Sequence, residues 1–523
     1  MAVPACQAEI AAFLQSVTGG PPVETHISAV FVGRDDVLKL KKAVRLPFLD
    51  FSTLAARREM AFRELQLNRI AAPGLYRDVQ AIVRTGCELH LAPSDAHGAL
   101  DYVVRMARVP GGDFLDAIAS RRALTPSLLD ALGDAVADLH ARLPPVQGWD
   151  SPAGMRAIIF GNAEAARGAG LASDTINQWL RGALAELKRI APALASRATT
   201  GHVRRAHGDL HLGNVCLWQG RPTAFDMLEF DDALATIDLG YDLAFLLMDL
   251  EFHAGRASAN RVMNRYLART GDTSLLVGLP CFLSVRAMVR AHVQAARGAT
   301  AEAASYLRAA HAALQPAPSL IVAIGGLQGS GKSTLARALA PELGRPPGAL
   351  IVRSDEIRKR LHNAPPEQKL PPSAYTQDAN ARVNTAMLEA AEAGARAGQA
   401  VIIDSTFLHA PLRHGLEAAA RRAKMPFVGI WLTADMATML QRVAARDRDA
   451  SDAGPDVLRA ATAVDPGPIA WRTIPADDAD VALAAVRAEI ARLPVAHRSA
   501  ARAKAPHMEA GQGSSGNGHG HDE

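Results

Sequence analysis

The sequence lacks the apolar run that a membrane-spanning helix needs. Such a helix takes ~20 mostly apolar residues, whereas the most apolar segment of the 523-residue chain, Leu243–Leu250, contains Asp249 and directly follows Asp242. The first residues also lack the basic and then apolar pattern of a signal peptide. We therefore expect a cytoplasmic protein that does not enter a membrane.

Cysteine and net charge are also scarce. The four cysteines, Cys6, Cys87, Cys216 and Cys281, are far apart and show no CxxC or CxxH spacing. This distribution argues against a disulfide framework or a zinc site. The formal net charge is only +4, so no large basic surface indicates binding to nucleic acid. Nucleic acid is therefore a possible partner but not the favoured one.

The length of the chain indicates more than one hydrophobic core, since domains usually contain ~100–200 residues. Two prolines within Gln315–Ser319 separate an alanine-rich helical stretch from the apolar strand Leu320–Ile324, which is typical of a domain boundary. We predict a first domain over residues 1–317 and a second over residues 318–495. Residues 496–523, rich in glycine, serine and histidine, are predicted to be a disordered tail.

A kinase-like motif lies in the first domain. The sequence HGDLHLGN contains Asp209 and Asn214, and Asp226 follows after two short apolar segments separated by a Gln-Gly pair. These segments predict a hairpin that brings Asn214 and Asp226 together. A kinase centre needs one carboxylate at the acceptor hydroxyl. It also needs an amide oxygen and a second carboxylate on the metal ions that bridge the ATP phosphates. The spacing supplies all three groups.

The motif resembles that of the aminoglycoside phosphotransferase family and its choline-kinase-like relatives, small-molecule kinases that share the protein-kinase fold. The resemblance implies that Asp209 is the catalytic base and that Asn214 and Asp226 bind magnesium. HRD, APE, GxGxxG and an activation loop are absent from residues 1–317, so a protein acceptor is not expected. The alternative is an accidental HGD turn in which Asp209 caps a helix, and the spacing to the two later residues fits this poorly.

A kinase fold also requires a strand lysine on the nucleotide phosphates and a helix glutamate that holds it. Residues 29–41 predict a hairpin, and Lys39 and Lys41 share one face of its second strand. The apolar residues before Lys39 resemble those before the family's strand lysine, so we assign Lys39 to the nucleotide and leave Lys41 as the alternative. In the helix that follows, the same resemblance favours Glu64 over Glu59.

Five acidic residues lie between positions 229 and 242, after the predicted metal ligand. The family resemblance allows such acids to organise the metal site or to approach a cationic acceptor. Helix caps and ion pairs explain acids at these positions equally well. An acidic pocket that faces Asp209 would indicate a cationic acceptor.

A phosphate-binding motif opens the second domain. The sequence GLQGSGKST lies between an apolar strand and an amphipathic helix. This is the context of a Walker A motif, whose backbone amides and helix N-terminus bind phosphate. The lysine contacts the β- and γ-phosphates, and Ser333 is also a predicted magnesium ligand. The predicted nucleotide-binding residues of the motif are Gly326, Gly329, Gly331, Lys332, Ser333 and Thr334.

Two further strands of the second domain end in acidic residues, Asp355 and Asp404, at the edge of a parallel sheet where ligands bind. This half resembles P-loop kinases of the polynucleotide-kinase and zeta-toxin type. The resemblance implies that Asp355 is a general base and that Arg358 contacts the acceptor. Asp404 either positions the acceptor or binds magnesium as a Walker B residue. A helix cap is the structural alternative for Asp355.

Arg442 and Arg446 lie four residues apart in a helix predicted over residues 438–446, and therefore on one helix face. The same resemblance implies a lid whose arginines close over ATP and neutralise charge on the transferring phosphoryl group. An exposed helix face gives the same spacing, so a structural role is the alternative.

Nearly the whole chain except the tail resembles the bacterial bifunctional aminoglycoside phosphotransferase and AAA-type ATP-binding proteins, including the stretch LKLKKAVRLPFLDFST at residues 38–53. We therefore expect a two-domain protein of the α/β and α+β classes. Its N-terminal domain should be protein-kinase-like, and its C-terminal domain a P-loop α/β kinase with a parallel sheet.

We expect each site to transfer the γ-phosphoryl group of ATP, as its magnesium complex, to a hydroxyl of a small-molecule acceptor. Two alternatives stay open. The second domain could phosphorylate the 5′-hydroxyl of a polynucleotide, or the chain could be a nucleotide-binding regulator with little turnover. The sequence specifies neither the acceptor nor the oligomeric state.

Overall fold

The computed structural model of the chain describes residues 2–46, 49–445 and 449–493. The predicted tail over residues 496–523 and the predicted lid residue Arg446 therefore lie outside the described residues. Within the described ranges, no helix combines the length and the apolar character that crossing a membrane requires.

The chain begins with an antiparallel sheet covered by two helices. Its elements are α1 (Ala8–Thr18), β1 (Val23–Glu24), β2 (Ser28–Val32), β3 (Asp36–Lys41), β4 (Arg45–Leu46), β5 (Leu49–Asp50), α2 (Leu54–Ala71), β6 (Tyr76–Thr85), β7 (Glu88–Pro93) and β8 (Asp101–Ala107). The strand order is β1-β2-β3-β8-β6-β7. Leu38 and Leu40 pack with α1, so the two-residue period of β3 directs Lys39 and Lys41 toward α2. The predicted hairpin and helix are confirmed.

The rest of the first domain is mostly helical. Its elements are α3 (Leu115–Ser120), α4 (Pro126–Arg142), α5 (Ser151–Gly168), α6 (Ser173–Thr199), β9 (Val203–Arg205), β10 (Val215–Trp218), β11 (Arg221–Ala224), α7 (Asp232–Ala235), β12 (Thr236–Asp238), α8 (Leu239–Ala254), α9 (Arg256–Thr270), α10 (Leu279–Ala296) and α11 (Thr300–Ala313). Every residue from Leu243 to Leu250 is buried in α8. The most apolar segment of the sequence is therefore the central helix of the core. The predicted β10–β11 hairpin forms, with Gln219 and Gly220 at φ 52° and 76° in its turn, as a tight two-residue turn requires.

The second domain is an α/β layer structure. Its elements are β13 (Ile321–Gly325), α12 (Lys332–Leu339), β14 (Leu350–Arg353), α13 (Ser354–Leu361), α14 (Gln377–Arg396), β15 (Val401–Asp404), α15 (Ala410–Arg422), β16 (Phe427–Thr433), α16 (Met436–Ala444), α17 (Pro455–Thr462), β17 (Arg472–Pro475) and α18 (Ala479–Ala491). The strands are all parallel in the order β14-β15-β13-β16-β17. Strand β13 is buried along its whole length, as expected for a strand with helices on both faces. The expected fold class is confirmed.

Helix α9 of the first domain covers the edge strand β14 of the second. The side-chain amides of Asn260 and Asn264 donate hydrogen bonds to the Ala349 carbonyl at 3.0 and 3.1 Å. The Ile351 N–H donates to the Asn264 Oδ1 at 2.7 Å. The backbone groups that an edge strand leaves open are thus satisfied by the neighbouring domain.

Candidate active sites

The first candidate site is a cavity of about 770 Å³ beside the antiparallel sheet. Its lining includes three of the residues predicted from the sequence, Lys39, Asp209 and Asp226, together with apolar side chains such as Val30 and Met106. An enclosed, mostly apolar cavity with a few converging charged groups is the usual form of a small-molecule or nucleotide site.

Lys39 is placed by strand β3 and held by two carboxylates. Its Nζ lies 2.7 Å from Glu64 Oε1 of α2 and 2.5 Å from Asp226 Oδ1. Burial alone would lower the pKa of Lys39, but the charges of Asp226 and Glu64 outweigh it and raise the pKa well above its ordinary value. Burial alone would raise the pKa of Glu64, but Lys39 and Lys41 bring it down to about 2. Both groups are therefore charged at neutral pH.

Lys41, the alternative to Lys39, has a different environment. It is fully buried and its Nζ lies 2.7 Å from Glu64 Oε2, and it also pairs with Glu229. Among the described residues that line the first cavity, Lys39 is present and Lys41 is not. The geometry therefore favours Lys39 as the group that reaches a nucleotide, with Lys41 holding the helix glutamate from behind.

Asp209, Asn214 and Asp226 come together as the spacing predicts. The Asn214 side-chain amide donates to the Asp209 carbonyl at 2.9 Å and to Asp209 Oδ2 at 3.0 Å. Both bonds use the amide nitrogen, so the amide oxygen of Asn214 remains free to bind a cation. Asp226 has a φ of 63°, an uncommon conformation that asparagine and aspartate adopt more readily than other side chains. Its N–H donates to the Tyr76 hydroxyl at 3.2 Å.

Asp209 has cationic neighbours. Its Oδ2 lies 3.5 Å from His211 Nε2. Burial alone would raise the pKa of Asp209, but the hydrogen bond and charge of His211, with smaller contributions from His207 and Arg286, hold it well below its ordinary value. Asp209 is therefore ionised at neutral pH, as a carboxylate that accepts or orients a hydroxyl proton must be.

The loop that carries Asp209 is fixed by Asp242 of α8, whose role could not be separated from that of the neighbouring acids in the sequence. Its carboxylate accepts hydrogen bonds from the N–H groups of His207 and Gly208 at 3.1 and 2.9 Å. It also lies 3.1 Å from His140 Nε2. The sequence signal that could have identified Asp242 is an acid in the first turn of a helix that is mostly apolar.

The other four acids of this run are engaged in the structure of the domain. Glu229 pairs with Lys41, and Asp232 pairs with Arg63 and Arg205. Asp231 and Asp238 accept hydrogen bonds at the N-termini of α7 and α8. The structural alternative therefore describes these four acids. Glu229 also lines the first cavity with Asp209, but its charge is paired with that of Lys41.

The second candidate site is the Walker A loop between β13 and α12. Lys332 Nζ donates to the Leu327 carbonyl at 2.8 Å. Gly326 and Gly329 have φ of 134° and 83°, and a Cβ at either position would lie 2.4–2.5 Å from a backbone oxygen. These close approaches explain why glycine occupies both positions. Gly331, Ser333 and Thr334 line an adjacent cavity of about 500 Å³ with Lys332.

The Ser333 hydroxyl donates to Asp404 Oδ2 at 2.5 Å, where β15 ends beside β13. A serine hydroxyl and a carboxylate in contact at this edge are oxygen ligands of the kind that magnesium prefers. Of the two roles open for Asp404, this contact favours the magnesium-binding one.

Arg353, which ends β14, was not identified from the sequence. Its guanidinium donates to Ser333 Oγ at 3.1 Å and lies 3.3 Å from Asp404 Oδ2 and 3.0 Å from Asp449 Oδ1. Burial opposes its charge, but Glu356, Asp404 and Asp449 raise the pKa of Arg353 well above its ordinary value. A permanent cation therefore stands next to the predicted magnesium ligands.

Asp355 and Arg358 lie in α13, which follows β14. Asp355 is half-buried, and burial raises its pKa. Arg358 donates to the Ala374 carbonyl at 2.7 Å and to Asn380 Oδ1 at 2.8 Å, and its guanidinium lies 4.7 Å from the centre of the Tyr375 ring. Two of its donor groups are thus occupied within the domain.

The predicted lid arginine Arg442 lies on α16 beside the Walker A loop. It donates to the Ala476 and Asp477 carbonyls at 2.9 and 2.6 Å and lines the same cavity as Lys332. The structure therefore brings Arg442 to the predicted nucleotide. The role of Arg446 stays a prediction.

Each of the two domains matches a known protein family. Residues 44–276 match the family described as "Phosphotransferase enzyme family", and residues 321–468 match the family described as "AAA domain". The chain thus combines an aminoglycoside-phosphotransferase-type kinase domain with a P-loop kinase domain. It is an ATP-dependent kinase.

Among related proteins, an uncharacterized protein of Mycobacterium tuberculosis (strain ATCC 25618 / H37Rv) is 28% identical over 457 residues, which cover 84% of this chain and 89% of that protein. A protein of Mycobacterium bovis gives the same figures.

Two kinds of solved structure align with different parts of the chain. Aminoglycoside phosphotransferase APH(4)-Ia with AMP-PNP and hygromycin B is 16% identical, with a TM-score of 0.37, covering 59% of this chain and 98% of that one. A gluconokinase from Sinorhizobium meliloti 1021 is 19% identical, with a TM-score of 0.24, covering 34% and 98%.

Proposed function

We propose that each domain transfers the γ-phosphoryl group of Mg-ATP to a hydroxyl of a small-molecule acceptor. For the first domain, the observation that carries the proposal is the convergence of Lys39, Asp209 and Asp226 on one cavity. Lys39 would bind the phosphates, Asn214 and Asp226 would hold magnesium, and Asp209 would accept or orient the hydroxyl proton. Glu64 would keep Lys39 extended from its strand.

In the second domain, Lys332 and the glycines of the Walker A loop would bind the phosphates, and Ser333 with Asp404 would hold magnesium. Asp355 would act as the base, and its raised pKa suits this role because a base works best with a pKa close to the working pH. Arg442 and Arg446 would neutralise charge on the transferring group, and Arg358 would contact the acceptor.

A small-molecule acceptor is supported by the phosphotransferase family match of the first domain. The acids between positions 229 and 242 give no support for a cationic acceptor, since each of them forms ion pairs or hydrogen bonds within the domain. The four free cysteines support a reducing compartment, and we place the protein in the cytoplasm.

The test is transfer of label from [γ-³²P]ATP into a fractionated metabolite extract. Wild type is compared with Asp209→Asn, with Lys332→Ala and with Arg396→Gln, the last an exposed arginine of α14 that serves as a charge-removal control. We expect labelled products that disappear in one variant or the other, and no change in the control. Binding of ATP without any labelled product would contradict the proposal and leave a nucleotide-binding regulator.

The same assay with a 5′-hydroxyl oligonucleotide tests the polynucleotide-kinase alternative. Because the formal net charge of only +4 indicates no large basic surface for nucleic acid, we expect no label in the oligonucleotide. Label that depends on Lys332 would assign this acceptor to the second domain.

Metal dependence follows from the oxygen ligands at both sites. We expect excess EDTA to abolish all transfer and added Mg²⁺ to restore it, since kinases need metal ions to bridge the β- and γ-phosphates and to neutralise the charge that develops there. Transfer that persists in EDTA would contradict the assignment of Asn214, Asp226, Ser333 and Asp404.

A further inference from the structure

Arg353 contacts both of the side chains that are predicted to hold magnesium in the second domain. It ends β14, and the register of β14 on β15 sets it directly opposite Asp404. Its Nη2 donates to Ser333 Oγ at 3.1 Å, and its Nε donates to Asp404 Oδ2 at 3.3 Å. One guanidinium group therefore bridges the hydroxyl and the carboxylate on which a metal ion would sit.

Arg353 and a metal ion would compete for the same oxygen atoms. The Ser333 hydroxyl donates its own hydrogen to Asp404 Oδ2 at 2.5 Å, so this carboxylate oxygen already accepts from both neighbours. Arg353 and Asp404 are both buried, so dissolved salt screens their charges little. Two cations that share ligand atoms repel each other strongly where screening is weak. A divalent ion on Ser333 and Asp404 is therefore opposed by the charge of Arg353.

Two further carboxylates bind the same guanidinium group. Nη1 of Arg353 donates to Glu356 Oε1 at 2.9 Å, and Nη2 donates to Asp449 Oδ1 at 3.0 Å. A guanidinium group has five N–H donors, and these two bonds involve neither Ser333 nor Asp404. Arg353 can therefore give up the Ser333 hydroxyl and still keep its charge paired, which an arginine with a single partner could not do.

We propose, on the basis of the magnesium site proposed for this domain, that Arg353 keeps divalent metal off Ser333 and Asp404 until a nucleotide binds. Magnesium then enters with the nucleotide and not before it, because the phosphates supply the negative charge that offsets the repulsion. Arg353 would yield the Ser333 oxygen to the metal and stay on Glu356 and Asp449. It is thus a positioning residue that acts through the metal ligands and sets the order in which metal and nucleotide bind.

The experiment measures binding of Mn²⁺, a paramagnetic substitute for Mg²⁺, to the full chain without nucleotide, from the electron paramagnetic resonance signal of free Mn²⁺. Asp226→Asn is the background, because it removes a predicted metal ligand of the first domain. Arg353→Gln is added to remove the charge, and Arg353→Lys to keep it. Arg396→Gln is the matched control, since it removes an exposed arginine that also pairs with a carboxylate, that of Glu392.

In the background protein we expect weak binding of Mn²⁺. Arg353→Gln should tighten it at least ~10-fold, because a unit positive charge is removed from beside the metal ligands. Arg353→Lys and Arg396→Gln should leave the affinity close to that of the background. Adding Asp404→Asn to Arg353→Gln should abolish the gain, which would place the metal on the predicted ligands.

Equal affinities in the background and in Arg353→Gln, or a gain that survives Asp404→Asn, would overturn the proposal. Thermal unfolding checks that each variant is folded. If the glutamine variant is unstable, Arg353→Met gives the same test, because its flexible unbranched side chain fills the space of the arginine stem. The readout is metal binding without phosphoryl transfer, so a failure here is distinct from a failure of the proposed function, which the labelled-ATP assay reports.

Discussion

Asp209 and His211 illustrate how single residues tune the first site. The hydrogen bond between their side chains keeps the Asp209 carboxylate ionised while the same contact makes His211 easier to protonate. The pair therefore couples the predicted base to a histidine whose pKa is raised above its ordinary value.

Replacing Asp209 with asparagine should lower the kcat of the first site by ~10²- to 10⁴-fold, the usual contribution of a general base. The KM for ATP should change little, because the asparagine keeps the shape of the side chain. Steady-state kinetics with the labelled acceptor measures both values. Asp174→Asn on the exposed start of α6 is the control, and an unaltered kcat in Asp209→Asn would remove Asp209 from the mechanism.

Replacing His211 with asparagine should reduce stability more at acidic than at alkaline pH. Burial alone would lower the pKa of His211, but the hydrogen bond and charge of Asp209 raise it. The stabilisation from a raised pKa is complete below the ordinary value of ~6.5 and is lost as the pH rises through the raised value.

Urea unfolding of wild type and His211→Asn at about pH 6 and about pH 9, on either side of the ordinary histidine pKa, measures this difference. Since Asp209 is partly exposed, we expect the gap between the two proteins to shrink by roughly 0.5 kcal/mol at the higher pH. An equal gap at both pH values would show that the contact contributes nothing through its charge.

The sequence predicted which site residues contact one another only where they lie close together in the sequence or where a motif sets their spacing. Asp209, Asn214 and Asp226 meet because a tight hairpin joins the last two. The partners of Arg353 lie 20, 51 and 96 residues away, at Ser333, Asp404 and Asp449. No local pattern carries that information, so the arginine beside the predicted magnesium ligands was missed.

At the scale of elements, short apolar runs identified the strands of the second domain well. The strand predicted before Asp355 is β14, and the strand predicted to end at Asp404 is β15. The packing of α9 on the edge of β14 could not be predicted. It depends on two asparagines whose partners are backbone groups of another domain, and backbone groups leave no mark in a sequence.

Replacing Asn264 with alanine should lower the free energy of unfolding by ~1 kcal/mol, because it leaves the partly buried N–H of Ile351 without its partner. Chemical unfolding followed by tryptophan fluorescence measures the change. Asn177→Ala, which removes an amide from a more exposed side-chain contact on α6, should cost much less. Similar costs for the two variants would show that the interdomain hydrogen bonds do not stabilise the chain.

At the scale of the whole molecule, the two predicted nucleotide sites lie in domains that share hydrogen bonds. Arg353 contacts Ser333 of the Walker A loop, and strand β14, which it ends, is bonded to α9 of the first domain. A continuous chain of contacts therefore connects the second predicted nucleotide site with the first domain.

Binding of Mg-ADP to the second domain should slow amide hydrogen exchange in α9, since ordering Ser333 and Arg353 would restrain the β14 edge. Hydrogen exchange with mass spectrometry, with and without nucleotide, measures the effect. Lys332→Ala should abolish it, whereas Asp209→Asn should not. Slowed exchange that persists in Lys332→Ala would mean that nucleotide in the first domain causes the change.

The hydrogen bonds from the side-chain amides of Asn260 and Asn264 also have a consequence for a second domain that is produced without the first. A second domain produced alone would expose the outer backbone groups of β14, and an open parallel sheet extends readily by pairing with another copy. Splitting this chain into two genes would therefore require a substitute for α9, or it would yield a protein that self-associates. The hydrogen bonds from α9 thus also shield the edge strand of the second domain from such pairing.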